Sequence, residues 1–153
     1  MHRKADPLDR ARHRKIGADL FNYTWSLLDR KDRSDEENDE MIHAAHASRY
    51  HWGQAGGALQ VSIGEWQISR VYSALGRAEP ALYHARRCLE ISRKRHLGRF
   101  YLAYAYEGVA RAAAVANDRK SRARYLQEAR RVGETIRDRD DRRMLLEDLQ
   151  TIP

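Results

Sequence analysis

Apolar residues recur at intervals of three and four along almost the whole of this 153-residue chain. Near the start, for example, Ile16, Leu20, Tyr23 and Leu27 follow this spacing. Such spacing places side chains on one face of an α-helix, whereas a half-buried β-strand requires strict alternation of apolar and polar residues. No segment of the sequence sustains that alternation, so we predict an all-α fold without a sheet.

Turn-forming and capping residues divide the chain into seven predicted helices. Ser34, followed by Glu37 three residues later, makes a capping box that predicts the start of the second helix. The glycines at 53, 56 and 57 predict that this helix ends near Gly53, because glycine is costly inside a helix. The predicted helices cover about residues 8–30, 35–53, 59–75, 80–96, 99–116, 119–136 and 140–149.

The composition favours one domain of ordinary size, which we place at residues 8–153. Hydrophobic residues make up 42% of the chain and charged residues 33%, a balance that argues against disorder. The longest uncharged run, residues 55–64, is too short to cross a bilayer. Cys88 is the only cysteine, so no internal disulfide can form, and its spacing from Ala81 and Ala85 predicts a buried, unreactive thiol. We therefore expect a cytoplasmic protein with no membrane partner.

The net charge of +7 is concentrated in three basic clusters. Residues 1–15 form a basic N-terminal segment for which we expect flexibility, and residues 93–96 and 119–124 form the other two clusters. Acidic residues at the start of a helix and basic residues near its end complement the helix dipole, which accounts for much of this pattern without a partner. Nucleic-acid binding is the third functional hypothesis. It ranks below the others because the clusters lack the interleaved aromatic residues of single-strand binders.

Two successive pairs of predicted helices are built alike. The first pair carries Trp66, Ile68, Val71, Tyr72 and Leu75 before Gly76, then Ala81, Ala85 and Cys88 after it. The second pair carries Tyr106, Val109, Ala110 and Ala113 before Asn117, then Leu126 and Ala129 after it. The two turns are 41 residues apart, against a usual period of about 34 in the motif that this pattern resembles, the tetratricopeptide repeat (TPR).

The resemblance to TPR proteins covers roughly residues 60–137, and the first two helices fit a degenerate third hairpin. The stretches HAAHASRYHW, GEWQISRVY and GRAEPALYHARRCLE are also similar to a family of bacterial proteins of about this length that carries no assigned activity. Together these resemblances imply a TPR-like fold, with antiparallel helical hairpins stacked in a right-handed superhelix or a compact bundle. They imply no chemistry.

The predicted second helix carries a stripe of acidic and imidazole side chains. His43 and His46 share one face, and Glu40 lies three residues before His43, the Glu-x-x-His spacing of iron and manganese centres held in helical bundles. Such a centre needs ligands from other helices, for which Glu65 and His84 are the candidates. One hypothesis is therefore a metal or small-ligand site, with or without catalysis. The alternative is a solvated helix face whose carboxylate–imidazole pairs contribute about 0.2–0.5 kcal/mol each, with no cofactor.

Aromatic and arginine side chains cluster around the turn between the second and third predicted helices. Repeat proteins bind partners on a concave surface, and tryptophan, tyrosine and arginine are the residues that contribute most to interfaces. The predicted partner-binding residues are Arg49, Tyr50, His51, Trp52, Trp66 and Arg70. The alternative is that both tryptophans fill gaps between hairpins.

The function that these patterns favour is that of a non-enzymatic adaptor, which holds a protein or peptide segment in a groove between stacked hairpins. So few repeats leave terminal hairpins without a neighbour, and a homodimer through an exposed hairpin is a further expectation.

Overall fold

The computed structural model describes residues 8–153, and these residues form seven helices with no strand among them. The helices are α1 (Arg10–Leu28), α2 (Asp35–Ala55), α3 (Ala58–Ala74), α4 (Ala78–Lys94), α5 (Arg99–Val115), α6 (Arg119–Gly133) and α7 (Arg139–Gln150). The predicted all-α fold and the order of its helices are confirmed. Of the predicted basic segment, residues 10–15 form the first turns of α1, and residues 1–7 lie outside the described part.

The predicted capping box starts α2. The Ser34 hydroxyl accepts a hydrogen bond from the backbone N–H of Glu37 at 3.1 Å, and the Glu37 carboxylate accepts one from the backbone N–H of Ser34 at 2.9 Å. The predicted end at Gly53 is wrong, because α2 continues to Ala55 and ends at Gly56. One exposed glycine costs a helix about 1 kcal/mol, and the packing of the buried Trp52 and Ala55 on either side of Gly53 offsets that cost.

The two predicted turns at Gly76 and Asn117 have the same geometry. Both residues adopt positive φ, 70° and 59° respectively, which glycine and asparagine tolerate better than other residues. In each turn the next residue's N–H reaches back to a helix carbonyl, from Arg77 to Tyr72 at 2.9 Å and from Asp118 to Ala113 at 3.0 Å. These are Schellman caps, and they end α3 and α5 so that the following helix can pack back against them.

The helices pair in sequence and the pairs stack. Helix α1 packs on α2, α3 on α4 and α5 on α6, while α7 covers α5 and α6 at the end of the stack. Contacts also join α1 to α3, α3 to α5 and α5 to α7, so the four odd-numbered helices lie side by side and form one surface, here called the inner face. None of the described helices is long and apolar enough to cross a membrane.

Small side chains allow the close approach of helices between hairpins. Ala81 and Ala85 of α4 pack against Ala105, Val109 and Ala112 of α5, all nearly inaccessible to solvent. A second cluster joins α5 and α6 to α7 through Ala103, Ala129, Val132 and Leu145, among others. Small residues therefore lie both between hairpins, where α4 meets α5, and within the last hairpin, where α5 meets α6.

Candidate functional site: an aromatic cavity on the inner face

A cavity of about 450 Å³ opens on the inner face. Its lining comes from all four odd-numbered helices and from one residue of α4. The lining residues are Phe21, Trp25, Ser62, Ile63, Trp66, Cys88, Phe100, Tyr101, Tyr104, Met144 and Asp148. Six of these residues are aromatic, and the described lining contains a single charged side chain, that of Asp148.

Each odd-numbered helix contributes a pair of lining residues at the spacing i, i+4. The pairs are Phe21 and Trp25, Ser62 and Trp66, Phe100 and Tyr104, and Met144 and Asp148. Residues at this spacing lie one above the other on the same face of a helix. Four helices side by side therefore present eight lining side chains to one concave space.

The aromatic rings of the cavity contact one another from helix to helix. Trp25 lies 5.7 Å from Trp66, measured between ring centroids, and Trp66 meets Tyr104 edge to face at 5.6 Å. Phe100 meets Tyr104 in the same way at 5.0 Å. Such arrangements are the favoured geometries of aromatic pairs, so the rings hold each other in place across three hairpins.

Tyr104 and Asp148 form the polar end of the cavity. The Tyr104 hydroxyl donates a hydrogen bond to the Asp148 carboxylate at 2.6 Å, joining α5 to α7. Burial raises the pKa of Tyr104 well above its usual range, and the bonded Asp148 carboxylate raises it further. The phenol therefore stays protonated and acts as a donor, which leaves the carboxylate as the charged group of the cavity.

A buried carboxylate lies behind the ring of Trp66. Glu107 of α5 is 0% exposed and accepts three hydrogen bonds, from Trp66 Nε1 at 2.9 Å, Arg70 Nη1 at 3.1 Å and Arg111 Nε at 2.6 Å. Arg111 also donates to the backbone carbonyl of Asp148 at 3.1 Å. Glu107 thus fixes the indole of Trp66 in the cavity wall and ties the end of α7 to α5.

The six predicted partner-binding residues separate in the structure. Trp66 lines the cavity, whereas Arg70 is bound to Glu107 and lines a smaller neighbouring cavity of about 280 Å³. Trp52 is 8% exposed and occupies the space beside Gly17. This tryptophan therefore fills a gap between helices, which was the alternative to partner binding.

The other three predicted partner-binding residues lie on α2, away from the cavity lining. Arg49 donates to Glu65 at 3.0 Å, the His51 ring contacts His13, and Tyr50 is exposed. The structure therefore brings one of the six predicted residues, Trp66, into the aromatic cavity. Binding by any of them stays a prediction.

The predicted metal ligands also separate. His84 Nδ1 lies 2.6 Å from a Glu65 carboxylate oxygen, and the rings of His46 and His84 are 5.3 Å apart. Glu40 and His43 are exposed on α2 and do not join this cluster. Within residues 8–153, no group of three His, Cys, Asp or Glu side chains could hold a metal ion.

Arginine side chains pair with the Glu65 carboxylate. Its carboxylate accepts from Arg49 at 3.0 Å and from Arg87 at 3.3 Å, so cations occupy the oxygens that a metal would need. Burial raises the pKa of Glu65, but the hydrogen bond and charge of His84 and the charge of Arg49 outweigh it and lower the pKa overall. The cluster is an ion-pair network that joins α2, α3 and α4.

The basic clusters at residues 93–96 and 119–124, both wholly within the described part of the chain, differ in their relation to the helix dipole. Arg93 and Lys94 lie in the last turn of α4, where the dipole favours cations. The cluster at residues 119–124 instead begins α6, where the dipole disfavours them, and there Asp118 caps the helix by accepting from the Ser121 N–H at 3.0 Å. Of these two clusters, the dipole thus explains only the one at residues 93–96, and nucleic-acid binding stays an untested hypothesis.

The predicted burial of Cys88 is confirmed. The residue is 3% exposed, and burial raises the pKa of its thiol to about 11. The nearby Ser62 hydroxyl contacts the sulfur at 3.4 Å and the Ser92 hydroxyl at 2.9 Å. A thiol that stays protonated at neutral pH is a poor nucleophile.

No protein-family model matches the chain, and no curated protein sequence is significantly similar to it. The resemblance to TPR proteins therefore stays a prediction. A fold by itself does not determine function, and the function has to be inferred from the cavity.

Proposed function

We propose that this chain is a TPR-like adaptor that holds an apolar segment of a partner protein in the aromatic cavity. The observation that carries the proposal is the lining itself, in which all four odd-numbered helices contribute an i, i+4 pair to one concave space. Aromatic residues of a closed core would pack only against each other. These rings instead leave a space of about 450 Å³ open at the surface.

The size and chemistry of the cavity support binding. Its volume falls in the range of about 300–1,000 Å³ that is typical of ligand pockets. Aromatic side chains offer a large contact area at a low entropic cost, and they contribute most of the energy at many interfaces. Apolar surfaces of this kind that stay accessible to solvent often mark interaction sites on soluble proteins.

The buried network behind the cavity supports a preformed site. Glu107 holds Trp66 through its indole N–H, and Tyr104 is held through its hydroxyl, so neither ring is free to collapse into the space. A site whose side chains are already fixed loses less entropy when it binds. Adaptor function needs such a site and needs no reactive group. The Ser62 hydroxyl and the Cys88 thiol, both in the lining, lie 3.4 Å apart, and the Ser62 hydroxyl also donates to the Cys88 backbone carbonyl at 3.4 Å.

The proposal is tested by a pair of matched substitutions. Met144 in the cavity and Tyr83 on α4 outside it are 50% and 56% exposed, so an arginine at either place leaves the core intact. A displayed library of random peptides is selected on the full chain, and the enriched peptides are measured against both variants by fluorescence polarisation. We expect Met144→Arg to weaken binding about tenfold or more, the usual loss at an interface hot spot, and Tyr83→Arg to leave it unchanged.

Either of two results would refute the proposal. If no peptide is enriched, or if the enriched peptides bind Met144→Arg as well as they bind the unmodified chain, the cavity is not the binding site of a protein segment.

A further inference from the structure

We propose that the group bound in the aromatic cavity is an organic cation, an alkylammonium such as the end of a lysine side chain, which lies against the aromatic rings and faces Asp148. This inference rests on the proposed adaptor function and names the anchoring group of the bound segment.

The charge of the lining favours a cation. Among the described residues that line the cavity, Asp148 alone carries a charge, and it is negative. The aromatic rings add to the same sign, because the face of each ring carries partial negative charge that attracts cations. Cavities formed by several aromatic rings are a recurrent way of binding ammonium groups.

The nearby positive charges are bound outside the lining of the cavity. Arg70 and Arg111 lie close to Asp148, but both donate to the fully buried Glu107, behind the ring of Trp66. Arg111 reaches Asp148 only at its backbone carbonyl. The guanidinium groups of both arginines are thus bound to Glu107 outside the lining, and of these four groups only the Asp148 carboxylate lines the cavity.

The desolvation of Asp148 on binding also favours a cation. Any occupant displaces water from the half-buried Asp148 carboxylate, which keeps one hydrogen bond, from the neutral hydroxyl of Tyr104. A neutral apolar occupant gives nothing in return for that loss, and an anion adds repulsion. A cation restores a favourable interaction with the carboxylate while its alkyl part contacts the rings.

Choline and its neutral carbon isostere, 3,3-dimethyl-1-butanol, separate charge from shape. Binding of each probe to the full chain is followed by tryptophan fluorescence, since Trp25 and Trp66 line the cavity. We expect choline to bind about three- to thirtyfold more tightly than the isostere, the range that a cation–aromatic interaction gives. Asp148→Asn, which keeps an acceptor for Tyr104, should reduce that preference without lowering the melting temperature.

Two substitutions at one exposed position give a second measurement. Met144→Glu and Met144→Arg introduce opposite charges at the edge of the cavity. If the occupant is a cation, Met144→Glu keeps or strengthens choline binding and Met144→Arg weakens it. Binding of the neutral isostere should not distinguish the two variants by the sign of the introduced charge.

Three outcomes overturn the inference and differ from failure of the adaptor proposal. Equal binding of choline and its isostere overturns the cation, as does equal weakening by the two Met144 variants. If neither probe binds, the enriched peptides decide. If the peptides lack a basic residue, or keep their affinity when each lysine is replaced by methionine, a segment binds without a cation and the inference is overturned. If they lose affinity on that replacement, the cation is supported. If no peptide is enriched either, both proposals fall together.

Discussion

Replacing Glu107 by glutamine tests whether the buried network behind the cavity holds the hairpins together. The substitution keeps the size of the side chain but removes its charge and one of its two acceptor oxygens. Three donors converge on this carboxylate, from Trp66, Arg70 and Arg111, and the remaining oxygen cannot satisfy all of them. The two guanidinium groups also lose their buried counter-ion.

The size of the effect follows from the burial of Glu107, which is complete. Removing one partner from a buried ion pair costs about 3–5 kcal/mol, because a charge is left uncompensated. For a chain of this length, each 1 kcal/mol shifts the melting temperature by about 2–4 °C, so Glu107→Gln should lower it by about 6–20 °C. Thermal unfolding followed by circular dichroism measures this change.

Two further variants make the result specific. Glu128→Gln has the same chemistry in an exposed pair with Arg131, and its melting temperature should not change. Combining Glu107→Gln with Arg70→Met removes one of the unpaired cations, so the double variant should lose less stability than the two single losses added together. A Glu107→Gln protein as stable as the Glu128→Gln protein would refute the role given to this network.

Four other predictions concern single positions. A Cβ atom at Gly17 would lie 2.5 Å from Trp52 Cδ1, so Gly17→Ala should cost about 1–3 kcal/mol. At Gly53 the nearest atom ends a flexible arginine side chain, and Gly53→Ala should stabilise the helix by about 0.5–1 kcal/mol; urea unfolding of both variants checks the opposite signs. Burial lowers the pKa of His46 below its ordinary value of 6.5, so the unfolded chain binds a proton that the folded chain resists, and stability falls as the pH drops below 6.5. His46→Gln should lose less stability between about pH 7.5 and about pH 5.5 than the unmodified chain, and an equal loss would contradict this assignment. Cys88 should react with Ellman's reagent only after unfolding, since it is buried and the pKa of its thiol is about 11; rapid labelling of the folded chain would show that the cavity wall opens.

The helices and turns were predictable because local signals determine them. The Ser34 capping box and the turn residues Gly76 and Asn117 act within a few positions of the chain, and the structure places helix ends at all three. The end of α2 was misplaced because packing, which the sequence does not show directly, carried the helix past Gly53.

The candidate site was only partly predictable because it depends on which helices meet. Glu107 and Arg111 stand four residues apart and look like an exposed helix pair, yet both are buried because α3 and α7 pack against α5. The i, i+4 pair of Phe21 and Trp25 was a usable signal, since such pairs place aromatic rings on one face. Phe100 and Tyr104 have the same spacing. The two pairs indicate a common site only when α1 and α5 are known to share the inner face.

Helix α7 both closes the stack and forms one wall of the cavity. Leu145 seats it against Gly133 of α6, while Met144 and Asp148 project into the space that an occupant would fill. An occupant in contact with these two side chains and with those of α5 would add to the contacts that hold this terminal helix in place. Binding and the docking of α7 should therefore stabilise each other, and a substitution such as Leu145→Ala, which loosens α7 from α6, should weaken binding.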